Sequence, residues 1–157
     1  MAGLIRVSEA ASLGLHAAML LAQAEGGLVR TRDLGERIGA SQAHLVKVLQ
    51  ALVRAGLVET ERGPHGGARL AQPAASITLL AVYEALDGPL ETRECLLDKP
   101  ICDGHCCILG RVLHAMNQEV REHLARTTLA DVWRPAAAVG ASGAGEAAMA
   151  GLRQAAS

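Results

Sequence analysis

Four cysteines, Cys95, Cys102, Cys106 and Cys107, fall within thirteen residues of one another. Thiolates are soft ligands suited to iron–sulfur clusters, zinc or Cu(I). Taking the last cysteine as a ligand gives the spacing C-x6-C-x4-C, and Pro100, Asp103 and Gly104 lie in a loop that can fold its sulfurs toward one centre. A structural zinc site more typically shows C-x2-C pairs or a C…H-x3-5-H arrangement; neither is present, so zinc is the lesser alternative. Inert, reduced thiols are the plainest reading, but they would be scattered rather than gathered in a polar loop. Adjacent cysteines rarely aim at one metal, so only one of Cys106 and Cys107 is expected to ligate. The Cys/His richness does not read as redox catalysis, because C-x-x-C is absent. A Gly-rich phosphate loop, a nucleophile elbow and HExxH are also missing, which argues against an enzyme.

A second chemistry lies upstream. Leu45, Val48, Leu49 and Leu52 recur at i, i+3, i+4 and i+7, the signature of a helix with one buried face. Ser41 is placed to cap that helix, and Gln42, Ala43, His44 and Lys47 lie near its N-terminal end. A recognition helix reaches base edges from that end, where Gln can pair with adenine and Lys with guanine. Beyond Gly56, residues 62–67 (Arg-Gly-Pro-His-Gly-Gly) form a strong turn signal carrying Arg62 and His65. An arginine at such a tip can enter a narrow minor groove.

The elements that must position these residues follow in order. Ser8 caps a first helix to about Glu25, stopped by Gly26-Gly27. Thr31 is expected to cap a short helix from Arg32 to Ile38, with Asp33 and Glu36 suited to its first turn. After the Gly39-Ala40 turn comes the reading helix, to about Ala55. Leu57–Glu61 and Arg69–Ala71 read as paired strands around the glycine-rich tip. Pro73 interrupts the pattern, Thr78–Leu86 is helical, and Asp87-Gly88-Pro89 ends it. Ile108–Ala125 is the last long helix, with one or two more turns at Thr128–Trp133. Its residues Leu109, Leu113, Met116, Val120 and Leu124 form a stripe read as the seam of a helix pair, with packing against its own domain as the competitor. His114 and His123 lie off the stripe and are expected to be solvated. This order predicts a mainly α fold with a small β-wing: a winged helix-turn-helix followed by a long dimerisation helix.

Composition agrees with this reading. The 157 residues are half hydrophobic, yet Tyr83 and Trp133 are the only aromatics, which favours packed aliphatic helices over a β-sandwich. The net charge of −1 divides into +2 over residues 1–72 and −3 over 73–157, fitting a DNA-facing half and a sensing half. No apolar run approaches the ~20 residues needed to span a bilayer, and no signal peptide is evident. A soluble cytoplasmic protein without membrane association is expected, and in that reducing compartment the cysteines do not suggest a disulfide framework.

The stretches HLVKVLQALVRAGLVETERGPHGGARLA (44–71) and ITLLAVYEALDGP (77–89), with the cysteine loop, the long helix and TTLADV (127–132), resemble the Rrf-type (IscR/NsrR-like) family of winged-helix regulators. The resemblance covers about residues 4–133. It implies a homodimer with a cluster held by three cysteines in each subunit, whose state controls promoter binding in response to iron, oxidants or nitric oxide. The family's cysteines fall on Cys95, Cys102 and Cys107, because ILGRVL after Cys107 matches the start of the family's long helix. The fourth ligand departs from the pattern. Where some relatives have a His, this chain has Gly110; where others use an Asp of the partner's first helix, it has Ser12. Glu9, Ser12, His16, His105 and Cys106 all stay open, and so does the choice between a 2Fe–2S and a 4Fe–4S cluster.

The expectation is therefore a repressor of double-stranded promoter DNA, with contacts from Ser41, Gln42, Ala43, His44, Lys47, Arg62 and His65. Its expected divisions are a DNA-binding domain over 1–89, a cluster loop over 90–107, a dimerisation helix and short helix over 108–133, and a disordered tail over 134–157. The alternatives are a metal-free thiol- or ligand-responsive regulator of the same fold and a zinc-stabilised interaction module.

Overall fold

A computed structural model describes residues 7–63, 66–90 and 107–132. Its elements are α1 (Glu9–Gln23), α2 (Thr31–Ile38), α3 (Gln42–Arg54), β1 (Val58–Glu61), β2 (Gly67–Leu70), a short 3-10 turn (Ala74–Ser76), α4 (Leu79–Asp87), α5 (Ile108–Arg126) and α6 (Leu129–Val132). The fold is mainly helical with one two-stranded antiparallel sheet, as the sequence predicts. Cys95, Cys102, Cys106, His105 and His65, together with the expected tail from residue 134 onward, lie outside the described residues.

Hydroxyl side-chain caps start α1, α3 and α4. Ser8, Ser41 and Thr78 have extended backbones, and their oxygens accept N–H bonds from Ala11, His44 and Ala81. Each such cap contributes about 1 kcal/mol. Thr31 behaves otherwise. It is the first residue of α2, and Arg30 precedes the helix with no side-chain cap. The cause lies one residue upstream. Val29 exchanges both backbone hydrogen bonds with Ala68, at 2.9 and 2.8 Å, so the chain is held beside β2 until it turns straight into the helix. Gly67 permits this approach, because a Cβ there would run into the Val29 carbonyl.

The main core is aliphatic. Leu21, Leu34, Leu45, Leu52, Val58, Ile77, Val82 and Leu129 are its largest fully buried side chains, each contributing about 1.5–3 kcal/mol on burial. Gly14 lets α1 lie close to α4, since a Cβ there would collide with Leu86. Leu129 is contributed by the chain after α5. Leu79 N–H donates to the Thr127 carbonyl and Leu129 N–H to the Ile77 carbonyl, both at 2.9 Å, so residues 127–129 strap the C-terminal segment onto the base of α4. A second, smaller cluster of Ala11, Leu80, Tyr83 and Leu90 takes in Leu124 of α5. Burial pushes the Tyr83 hydroxyl above its ordinary value, and the charge of Asp87 adds to the effect.

The stripe read on α5 divides in two. Leu113 is buried, 4% exposed, and Leu124 packs into the second cluster, whereas Leu109 and Met116 are 64% and 46% exposed. Packing against the chain's own domain therefore claims part of the expected seam. Val112, 52% exposed, joins Leu109 and Met116 on the open face. At 3.6 residues per turn this row sits roughly 100° around the helix from the buried one. Arg121 ties the helix to α4 through Glu84 at 3.0 Å. His114 also departs from expectation. Its Nδ1 is buried and has no hydrogen-bond partner among the described residues, because the half-buried ring lies beside the buried face of α5.

Candidate nucleic-acid interface and cysteine helix

α2 and α3 make the helix-turn-helix. Gly39 ends α2 with φ +73°, the left-handed region that suits glycine, and Ala40 N–H donates back to the Gly35 carbonyl at 3.0 Å. The short turn lets Leu34 and Leu45 share one core. Ser41 fixes the start of α3 by accepting the His44 N–H at 3.3 Å. Leu45, Val48, Leu49 and Leu52 are all buried, which turns Gln42, Ala43, Val46, Lys47, Gln50 and Arg54 outward as one exposed surface.

The expected reading residues separate on this surface. Gln42, Ala43 and Lys47 are exposed. His44 is partly covered, and its Nδ1 lies 3.7 Å from the Glu9 carboxylate of α1. Sequence gave no sign of this contact, because Glu9 and His44 are far apart along the chain. Val46 was also missed: it belongs to neither the buried row nor the polar set.

At the wing, Arg62 is exposed just beyond β1. Arg69 on β2 is engaged with Glu59 at 3.2 Å and Glu61 at 3.1 Å. Among the described residues no acid pairs with Arg62 or Lys47, so both cations are available to a polyanion. Exposed lysines and arginines of this kind supply the salt-dependent part of DNA affinity.

Cys107 caps α5. It is a free thiol, partly buried, and the Gly110 N–H donates to its Sγ at 3.2 Å. The sulfur is thus tied to the first turn of the helix. A helix N-terminus carries partial positive charge and suits an anionic ligand atom. The candidates on α1 differ among themselves. Glu9 is exposed and faces His44; Ser12 is partly buried; His16 is exposed, with Nδ1 2.7 Å from the Ser12 carbonyl. That carbonyl can only accept, so Nδ1 is the donor in this contact. Among the described residues no three His, Cys, Asp or Glu side chains converge on one point. Among them, too, no helix is long and apolar enough to cross a membrane.

Comparison with known proteins agrees with this geometry. Residues 7–135 match the model of a family described as Rrf2, iron-dependent transcriptional regulator. The chain is 35% identical to the HTH-type transcriptional regulator Rv1287 of Mycobacterium tuberculosis (strain ATCC 25618 / H37Rv), over 82% of its own length and 81% of that protein. A match at 38% identity to Protein aau3 of Rhizobium meliloti (strain 1021) spans 57% of this chain and 60% of that one, less than two thirds of either. Among solved structures, CymR, the global cysteine regulator of B. subtilis, superposes with a TM-score of 0.69 at 26% identity, over 82% of this chain and 95% of that one. IscR of T. potens superposes with a TM-score of 0.63 at 28% identity, over 82% and 85%. An exposed reading helix, a two-stranded wing and a family match across most of the length lead to one conclusion: the chain belongs to the Rrf2 family of DNA-binding transcriptional regulators.

Proposed function

We propose that this chain is a homodimeric, cytoplasmic promoter-binding repressor whose affinity is set by an iron–sulfur cluster on Cys95, Cys102 and Cys107. The observation that carries the reading is the position of Cys107. Its sulfur is held at the first turn of α5, and α5 is fastened to the reading domain by Leu124 and by the Arg121–Glu84 pair. A change at this cysteine therefore has a stiff route to the elements around α3. The chemistry of the donor fits a cluster: a free, partly exposed thiol at the positive end of a helix. When bound, such a cluster supplies redox and ligand-exchange chemistry tuned by its thiolates and hydrogen bonds.

The remaining roles follow from the chain's own residues. Gln42, Ala43 and Lys47 face bases, Ser41 fixes the helix start, and Arg62 with His65 grips the backbone or minor groove. His44 contributes once released from Glu9. The exposed row Leu109, Val112 and Met116 forms the seam with a second copy, placing two reading helices ~34–36 Å apart. The reading domain extends over 1–89, the cluster loop over 90–107 and the dimerisation segment over 108–133. The likeness to IscR supports the cluster.

The likeness to CymR favours a second reading, in which the cysteines act as metal-free thiols. Purification without oxygen separates the two. A brown protein carrying iron and acid-labile sulfide, bleached by Cys107→Ser, supports the cluster. A colourless protein with reduced thiols supports the second reading, and a colourless protein with stoichiometric zinc overturns both.

A further inference from the structure

We infer that Val46 reads a thymine, seating its two methyl groups against the C5-methyl in the major groove. The inference rests on α3 being the reading helix and adds a base identity to that assignment. Val46 stands 38% exposed, although the inward side of α3 is complete without it. Leu45, Val48, Leu49 and Leu52 already fill the contacts with α1, α2, α4 and β1. Val46 lies one turn after Gln42, one turn before Gln50 and next to Lys47, so polar side chains surround an apolar knob. His44 occupies the opposite flank and lies beside Glu9.

The chemistry of the groove narrows what Val46 can meet. Base edges there present donors, acceptors and one apolar group, the thymine methyl. A valine on a guanine, cytosine or adenine edge would bury polar atoms without a partner, which is unfavourable. Valine is also stiff about χ1 in a helix, so it loses little freedom on docking. Val53 is equally exposed, but it lies two turns further on, about 10.5 Å toward the end of α3 that is distant from the N-terminal reading residues.

The test removes the methyl and nothing else. An operator is first selected from random duplex DNA with the wild-type protein, and each thymine is then replaced singly by deoxyuridine. Affinities of wild type, Val46→Ala and Lys47→Ala are measured at one salt concentration. Wild type is expected to lose about three- to five-fold at one thymine per half-site, the worth of one buried methyl. Val46→Ala should bind the thymine and uracil duplexes with nearly equal affinity, while Lys47→Ala binds more weakly throughout and keeps the ratio. Thermal denaturation checks that Val46→Ala is folded, as its exposure leads one to expect. Wild type indifferent to uracil at every position, or Val46→Ala keeping the wild-type ratio, overturns the inference. If Val46→Ala and Lys47→Ala both bind every duplex like wild type, α3 is not the reader and the larger assignment fails with it.

Discussion

In α3 the whole apolar row, Leu45, Val48, Leu49 and Leu52, is buried, whereas in α5 the row read from sequence splits between Leu113 and Leu124 inside and Leu109 and Met116 outside. Both helices are amphipathic, and both begin with a side-chain cap. They differ in their neighbours. α3 is packed by α1, α2, α4 and β1 over one broad face, which leaves the side carrying Gln42, Val46 and Lys47 open. α5 rests on α4 along a narrow strip and keeps a second apolar row uncovered. A row that is fully buried identifies a helix with one set of partners. A row that divides leaves a helix with one buried strip and one open apolar strip, and the open strip is the one proposed above to meet a second copy.

The largest effects should come from exchanging the two rows of α5. Leu113→Ala should cost about 2–5 kcal/mol in denaturant unfolding, because it empties a buried site. Met116→Glu should leave that stability nearly unchanged while shifting sedimentation from dimer to monomer and weakening operator binding. Equal behaviour of the two variants would erase the distinction between the rows.

The open face of α3 should respond differently from its buried row. Lys47→Ala should weaken operator binding by about 1–3 kcal/mol if it contacts a base, without loss of fold. Arg62→Ala should reduce the slope of log affinity against log salt by about 0.9, the share of one phosphate contact. The smallest effect belongs to the cap. Ser41→Ala should cost about 1 kcal/mol of stability, seen equally in thermal and denaturant unfolding.

Much of this was legible in sequence because it is local. The Leu45–Leu52 periodicity, the caps at Ser8 and Ser41, and the glycine-rich wing are all written within a few residues of where they act. What was missed depends on distant partners. Thr31 failed as a cap because Val29 is bonded to Ala68, a strand away. The Glu9–His44 contact joins two helices that no short-range pattern connects. The five-residue stripe on α5 has correct helical spacing, but spacing cannot say which side meets α4. His114 was assigned to solvent on its spacing from that stripe alone, and it proved to lie beside the buried face. Of the cysteines, sequence gave the grouping, and the fold adds the tie between Cys107 and the start of α5.

The central claim is that the occupant of the cysteine loop sets the affinity of the reading helix for DNA. The most direct measurement compares protein purified without oxygen, the same protein stripped of its iron, and Cys107→Ser, all titrated on one operator at one salt concentration. The account predicts that the stripped protein and Cys107→Ser bind alike, and that both differ from the iron-containing form by roughly 5–150-fold, a coupling of about 1–3 kcal/mol. Equal affinity in all three preparations would contradict it.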